Sequence, residues 1–189
     1  LHSEKDLRIE SVPVADMADD QVLVRIGAGG ICGSDLHPYH SMTPDSAGQT
    51  MGHEFIGVVE EVGSEVTKGD FVISPFAWAD NTCPICRDGF QTACPHGGFF
   101  SAAQAEYVRV PQADGTLVVT EATDDEATLK SLLTLSDVYL TGYHAAFMAK
   151  VQPGQTVTVV GDGAVGLSAV LAAPGVRAVI TAEIGRASC

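Results

Sequence analysis

The sequence predicts a mixed α/β protein, in which a β-rich domain is followed by the first part of a parallel α/β domain. Short segments that alternate apolar and polar residues, or are rich in β-branched residues, predict strands, and glycines between them predict tight turns. These strands are expected at 7–14, 21–26, 55–62, 70–74, 105–110 and 116–120. A later strand, glycine-rich turn, helix and strand, with apolar strands throughout, predicts a parallel sheet.

The second part of the chain begins with two predicted helices. The first has acidic residues at its start, where the helix dipole favours them. Beyond Pro153 and Gly154 the β-branched strand begins, and Pro174 and Gly175 are expected to end the helix that follows it. The predicted helices are 124–135, 138–150 and 164–173, and the predicted strands are 156–160 and 179–182. We place the change of domain within 122–137, which gives domains 1–125 and 126–189.

Composition narrows the possible partners. The 189 residues carry a net charge of −14, from 24 acidic and 10 basic side chains. Nucleic acid and anionic membrane surfaces are therefore not expected, because both need clustered Lys and Arg. There is no apolar run near the roughly 20 residues of a membrane span and no apolar signal segment, so the expected location is the cytoplasm.

The cysteines predict metal ligation rather than disulfides, because their number, 5, is odd and no secretion signal is present. Cys83 and Cys86 form a Cys-x-x-Cys pair, and Cys94 follows eight residues later. This spacing is typical of a closed, structural zinc site. The fourth ligand is expected at Asp80, which continues the three-residue step backwards, with His96 as the competing candidate.

A second group of potential ligands comes earlier in the chain. Cys32 lies in a glycine-rich turn with Ser34, Asp35 and His37, and Gly52-His53-Glu54 follows about twenty residues later. A thiolate and an imidazole from separate segments are what an open catalytic zinc site uses. Taken singly, a lone Cys or His is more often a packing residue.

A third pattern predicts dinucleotide binding. Gly161-Asp162-Gly163-Ala164-Val165-Gly166 follows a predicted strand and begins a helix, the context in which Gly-x-Gly-x-x-Gly binds pyrophosphate. Gly161, Gly163, Ala164, Val165 and Gly166 are therefore candidate cofactor-binding residues. Glu183, about twenty residues further on, would bond the ribose hydroxyls and favour NAD over NADP. The alternative for Glu183 is a solvated surface charge.

With these motifs in this order, the sequence resembles the zinc-containing medium-chain alcohol dehydrogenases. The resemblance implies a GroES-like β-barrel catalytic domain followed by a Rossmann domain that is only partly present. It implies a catalytic zinc held by Cys32, His53 and Asp137, a structural zinc, and NAD or NADP as the cofactor. Glu54 matches the carboxylate beside the metal, Asp35 the residue that orients the histidine, and Ser34 and His37 the proton relay.

The resemblance also implies an enzyme that interconverts an alcohol with an aldehyde or ketone, and a homo-oligomer in the full-length protein. Asp80 departs from the family pattern, which usually has a cysteine there. The rest of the cofactor domain is expected to be missing, so the activity of this chain alone is left open. The alternatives are an aldehyde dismutase or a polyol dehydrogenase on the same scaffold, or a non-catalytic zinc module.

Overall fold

The computed structural model describes residues 1–14, 17–43, 48–62, 66–173, 175 and 177–181. The chain divides into two compact units, Leu1–Leu133 and Thr134–Cys189. The first unit contains mostly strands, and the second contains helices and a parallel strand pair. The predicted boundary at residue 125 precedes a helix that lies within the first of these units.

The elements of the first unit follow one another closely in the chain. Its strands are β1 (Val22–Gly29), β2 (Phe55–Val62), β3 (Phe71–Ser74), β4 (Ala77–Trp78), β5 (Gly98–Phe99), β6 (Tyr107–Val110) and β7 (Val118–Thr120). Its helices are α1 (Leu36–Ser41), α2 (Pro84–Arg87), α3 (Ala113–Thr116) and α4 (Glu126–Leu133). Short 3-10 turns cover Gly33–Asp35 and Gln91–Ala93.

Five of these strands form one antiparallel sheet in the order β6-β1-β2-β3-β7, and β4 pairs with β5 in a separate two-stranded sheet. The β-rich domain is thus an open sheet. Within the described residues it does not close into the barrel that the resemblance implies, because β6 and β7 remain its edges. Closure would require hydrogen bonds between the two edge strands, and Val118 and Val119 on β7 are exposed instead.

The sheet buries apolar side chains on both faces. One face holds a core that includes Val24, Phe55 and Val59. On the other face Ile56, Phe71 and Ile73 are buried, and leucines of α4 pack against them. Since side chains alternate between the faces of a strand, β2 contributes to both cores. The packing of α4 explains why this helix belongs to the first unit.

The predicted strand at 7–14 is wrong. This segment has no strand pairing, and the side chains of Ile9 and Val12 are exposed. Alternating apolar residues predict a strand only when a neighbouring strand supplies hydrogen bonds and a surface to cover. The other predicted strands of this unit agree with β1, β2, β3, β6 and β7 to within a few residues.

The second unit contains a β-α-β arrangement. Its elements are α5 (Val138–Met148), β8 (Thr156–Val160), α6 (Ala164–Leu171) and β9 (Arg177–Thr181). The predicted parallel pairing is confirmed, since β8 and β9 run parallel in register. Helix α5 packs closely on α6, because a Cβ atom at Gly142 would lie 2.5 Å from the backbone nitrogen of Ala169.

Within the described residues, no helix is both long and apolar enough to cross a membrane. The cytoplasmic location stays a prediction.

Candidate metal centres and the glycine-rich turn

A loop between β4 and β5 brings four potential metal ligands together. The ligand atoms of Asp80, Cys83, Cys86 and Cys94 all lie within 4.8 Å of one another. Cys83 caps the N-terminus of α2, where Pro84 begins the helix, and its Sγ accepts a hydrogen bond from the backbone N–H of Cys86 at 3.4 Å. This one short turn therefore places the first two thiols on the same side of the loop.

The surroundings of these thiols suit a cation. Cys83, Cys86 and Cys94 are buried with Ala79 in a small cluster, separate from the sheet core. Burial raises the pKa of the Cys86 thiol to about 12 in the absence of a metal. At Cys94 burial acts in the same direction, but hydrogen bonds from the backbone at Asp80 and His96 and from the thiols of Cys86 and Cys83 together outweigh it and lower the pKa. Sulfurs of a tetrahedral zinc site lie about 3.8 Å apart, given Zn–S bonds of about 2.3 Å, so this donor set fits zinc.

Asp80 is held by several hydrogen bonds. Its Oδ1 accepts the backbone N–H groups of Thr82 and Cys83 at 2.9 and 3.1 Å, and its Oδ2 is paired with Nδ1 of His96. The bond from His96 is the main reason that the pKa of Asp80 lies well below its usual range, and the two backbone donors add to it. The structure thus groups Asp80 with the thiols and makes His96 the partner of its carboxylate.

The second ligand group lies at one end of the sheet. The ligand atoms of Cys32, His53 and Glu54 lie within 4.8 Å of one another. Antiparallel pairing of β1 with β2 explains how they meet, because Gly29 at the end of β1 is paired with Phe55 at the start of β2. Cys32 follows the first strand and His53 precedes the second, so the strand register brings the thiol and the imidazole together.

Asp35 ties the two ligands to each other. Its Oδ2 accepts the backbone N–H of Cys32 at 3.0 Å, and its Oδ1 lies 3.3 Å from Nδ1 of His53. Because Nδ1 faces this carboxylate, Nε2 is the ring nitrogen on the other side of the imidazole, where a metal would bind. The carboxylate of Asp35 is buried, which strengthens its interaction with the imidazole. The role of Asp35 in orienting the histidine ligand stays a prediction.

Two glycines allow Glu54 and His53 to be placed in this way. A Cβ atom at Gly30 would lie 1.8 Å from Oε2 of Glu54, so only a glycine leaves room for this buried carboxylate. Gly52, immediately before His53, has a φ of +91°, and a Cβ atom there would lie 2.7 Å from the backbone nitrogen of Gln104. Both positions therefore require glycine, one for space and the other also for its backbone conformation.

The remaining candidate catalytic residues are less enclosed. Ser34 lies in the 3-10 turn and His37 in α1, and both are exposed. Within the described residues, no hydrogen bond joins their side chains. Asp137 lies in the second unit, at the N-cap of α5, where its Oδ1 accepts a hydrogen bond from the hydroxyl of Thr141 at 2.8 Å. The role of Asp137 as a metal ligand stays a prediction.

The glycine-rich turn joins β8 to α6. Gly161 has a φ of +115°, and Gly163 caps α6, whose first residues are Ala164 and Val165. A Cβ atom at Gly166 would lie 2.1 Å from the carbonyl oxygen of Gly161, so the helix passes close to the turn. The role of these residues in binding a dinucleotide stays a prediction. Glu183 lies outside the described residues.

Sequence reasoning missed the residues that support these sites. Thr116 is buried on α3, and its hydroxyl accepts the backbone N–H of Ala79 at 3.1 Å, which fixes the residue before Asp80. These residues are 37 positions apart, so no local pattern connects them. Thr141 lies four residues after Asp137 on a helix, and that spacing could have identified it.

The fold and the ligand groups define a metal-binding domain built on an antiparallel sheet. The family model of the alcohol dehydrogenase GroES-like domain matches residues 18–121. The chain therefore belongs to the zinc-type alcohol dehydrogenases of the medium-chain dehydrogenase/reductase family.

Three similar proteins illustrate the relationship. Zinc-type alcohol dehydrogenase B of Aspergillus flavus is 36% identical over 90% of this chain and 43% of its own length. Formaldehyde dismutase of Pseudomonas putida is 34% identical over 87% of this chain and 48% of its own length. The structure of alcohol dehydrogenase TADH from Thermus sp. ATN1 matches with a TM-score of 0.82 and 32% identity, over 94% of this chain and 56% of that one. The chain thus spans about half the length of such relatives.

Proposed function

We propose that this chain is part of a zinc-dependent oxidoreductase that transfers a hydride between an alcohol and NAD or NADP, giving an aldehyde or ketone. The observation that carries the proposal is the meeting of Cys32 and His53 beside Asp35 and Glu54. A thiolate and a neutral imidazole, oriented by a carboxylate, form the protein part of an open zinc site. The substrates are small alcohols or aldehydes, and the homo-oligomer stays a prediction.

Two zinc ions per chain belong to this proposal. Cys32, His53 and Asp137 would hold the catalytic ion, and Asp80, Cys83, Cys86 and Cys94 the structural one. The hydrogen bond from Thr141 to Asp137 supports its assignment, because carboxylate ligands are usually held by a second partner. When bound, the catalytic zinc would supply Lewis acidity to the alcohol oxygen, and the nicotinamide would accept the hydride.

Four residues near the proposed catalytic ion would have separate roles in proton transfer, charge and ligand orientation. Ser34, close in sequence to Cys32, would take the proton of the alcohol, and His37 would pass it to solvent. The exposure of both side chains supports a path that ends at the surface. Glu54 places a buried negative charge beside the ligands, and Asp35 keeps His53 in the tautomer that leaves Nε2 for the metal.

The cofactor part of the proposal rests on the second unit. The N-terminus of α6 and the turn at Gly161, Gly163 and Gly166 offer backbone N–H groups to a pyrophosphate. Ala164 and Val165 begin that helix, and Glu183 would select NAD by bonding the ribose hydroxyls. NADP is the alternative if Glu183 is a surface charge.

A dismutase is the second candidate, because formaldehyde dismutase of Pseudomonas putida is among the similar proteins. Asp137 supports this candidate, since the family resemblance implies that some relatives, including glutathione-independent formaldehyde dehydrogenases, have an aspartate at this position. The test is to assay the purified protein on alcohols and aldehydes with and without added NAD. We expect turnover to require added NAD. Turnover of an aldehyde without it would favour the dismutase, and a polyol preference would favour a polyol dehydrogenase.

Zinc content separates the enzyme from a non-catalytic zinc module. We expect two zinc ions per chain, because the described residues include two separate groups of potential metal ligands. A single ion, restricted to the cysteine loop, would support the module and contradict the proposed catalytic site.

Gly30→Ala tests whether the placement of Glu54 matters. The new methyl group would displace the Glu54 carboxylate, and a displacement of about 1 Å in an active site can lower turnover about 100-fold. We expect a fall of that order in kcat/KM with an unchanged circular dichroism spectrum. Gly29→Ala is the matched control, because a Cβ atom there would meet its nearest neighbour at an ordinary 3.5 Å. Equal activity of the two variants would contradict this role for Gly30.

A further inference from the structure

His96 has an unexpected place in the cysteine loop. It follows Cys94 by two residues, yet its Nδ1 is bonded to Asp80, which lies 16 residues earlier, before the first of the three cysteines. The side chain of His96 is 62% exposed, whereas that of Asp80 is only 12% exposed. An exposed ring thus reaches a nearly buried carboxylate that lies among three thiols.

The hydrogen bond from His96 restricts the orientation of the Asp80 carboxylate. An ionised carboxylate has about four acceptor positions, two on each oxygen. Thr82 and Cys83 fill those of Oδ1 with backbone N–H groups, and the Nδ1–H of His96 fills one of Oδ2. In the absence of a metal the Cys86 thiol also bonds to this carboxylate, and its proton takes a further acceptor position on a group whose orientation the other three bonds fix. A cation among the sulfurs would take that position.

We propose that His96 is a positioning residue for the loop metal, which it serves by orienting Asp80 rather than by binding the ion. The inference rests on the structural zinc of the proposed function. A thiolate has one donor atom and needs no such support, but a carboxylate can turn about its Cβ–Cγ bond and exchange its oxygens. His96 supplies the restraint that an oxygen ligand needs at this position, and outer partners of this kind typically contribute 10–100-fold to metal affinity.

The first test measures the release of loop zinc to a colorimetric chelator, with Cys32→Ala as the common background so that only the loop ion is followed. We expect His96→Ala to release zinc about 10–100-fold faster. His96→Asn should restore slow release, because its amide N–H lies where the Nδ1–H of histidine lies. His144→Ala, at an exposed histidine of the second unit, is the control and should match the background.

The second test asks whether His96 acts through Asp80. In an Asp80→Cys background a fourth thiolate replaces the carboxylate, so His96→Ala should no longer accelerate zinc release. Cobalt substitution gives an independent measure, since the ligand-field bands of His96→Asn should keep the position and intensity of the parent if histidine is not a ligand.

Three outcomes would overturn the inference: unchanged release in His96→Ala, the same acceleration in the Asp80→Cys background, or cobalt bands in His96→Asn that report the loss of a nitrogen ligand. A parent chain that holds no zinc in the loop would contradict the proposed structural zinc itself, and with it this role for His96. Zinc analysis of the unmodified chain therefore comes first and separates the two failures.

Discussion

Cys32→Ala should remove one zinc ion per chain and all turnover, while the loop zinc stays bound. Among the described residues, Cys32 supplies the one sulfur of its ligand group. A methyl group cannot replace a thiolate as a ligand. Asp35 would retain its contact with His53, but an imidazole without the thiolate would hold the ion far more weakly. Metal analysis of the purified protein, together with an alcohol assay in the presence of NAD, measures both effects.

The fold should survive this substitution. Cys32 lies beyond the end of β1 and is only partly buried, so its loss leaves the sheet core intact. We expect the thermal unfolding midpoint to change by less than about 3 °C, as for substitutions outside a packed core. Retention of two zinc ions, or full activity, would show that the catalytic site lies elsewhere.

Cys86→Ala should instead remove the loop zinc and destabilise the protein. The cluster around Cys86 has few apolar side chains of its own, so the metal would provide most of its stability. We expect the unfolding midpoint to fall by about 10 °C, a size that corresponds to several kcal/mol for a chain of this length. Differential scanning calorimetry with zinc analysis measures the change.

Chelation and a neighbouring variant provide the controls for this result. Removing zinc from the unmodified protein with a strong chelator should reproduce the fall, and the chelator should then have little further effect on Cys86→Ala. Ile85→Ala changes an exposed residue of the same short helix and should shift the midpoint by no more than about 2 °C. An unchanged midpoint in Cys86→Ala would mean that no structural metal holds the loop.

Local patterns predicted the elements that have a partner nearby in sequence. Strand β2 is rich in apolar and β-branched residues, and β8 is a run of β-branched residues before a glycine-rich turn, so each could be identified from its own residues. The segment 7–14 shows the limit of this reasoning, because it alternates apolar and polar residues but is not a strand. Strand pairing depends on two segments, so the residues of one segment do not show whether it occurs.

The metal site in the cysteine loop was predicted only in part from the local sequence. The spacing of Cys83, Cys86 and Cys94 predicted a metal site, because a short turn can fold back only in a few ways. The choice between Asp80 and His96 could not be made from spacing, since both lie within reach of the thiols. The three-dimensional structure groups Asp80 with the sulfurs and pairs His96 with its carboxylate. Thr116, 37 positions from Ala79, accepts the backbone N–H of the residue before Asp80.

The sequence alone determined which donor atoms are present, where the turns come, and that the β-rich part precedes a parallel strand pair. It did so because turn chemistry, side-chain alternation and ligand spacing act over a few residues. Only the tertiary structure decided that Cys32, His53 and Asp35 meet, that Glu54 fits against Gly30, and that α4 covers the sheet. These contacts depend on strand register and close packing, which join residues that are distant in the chain.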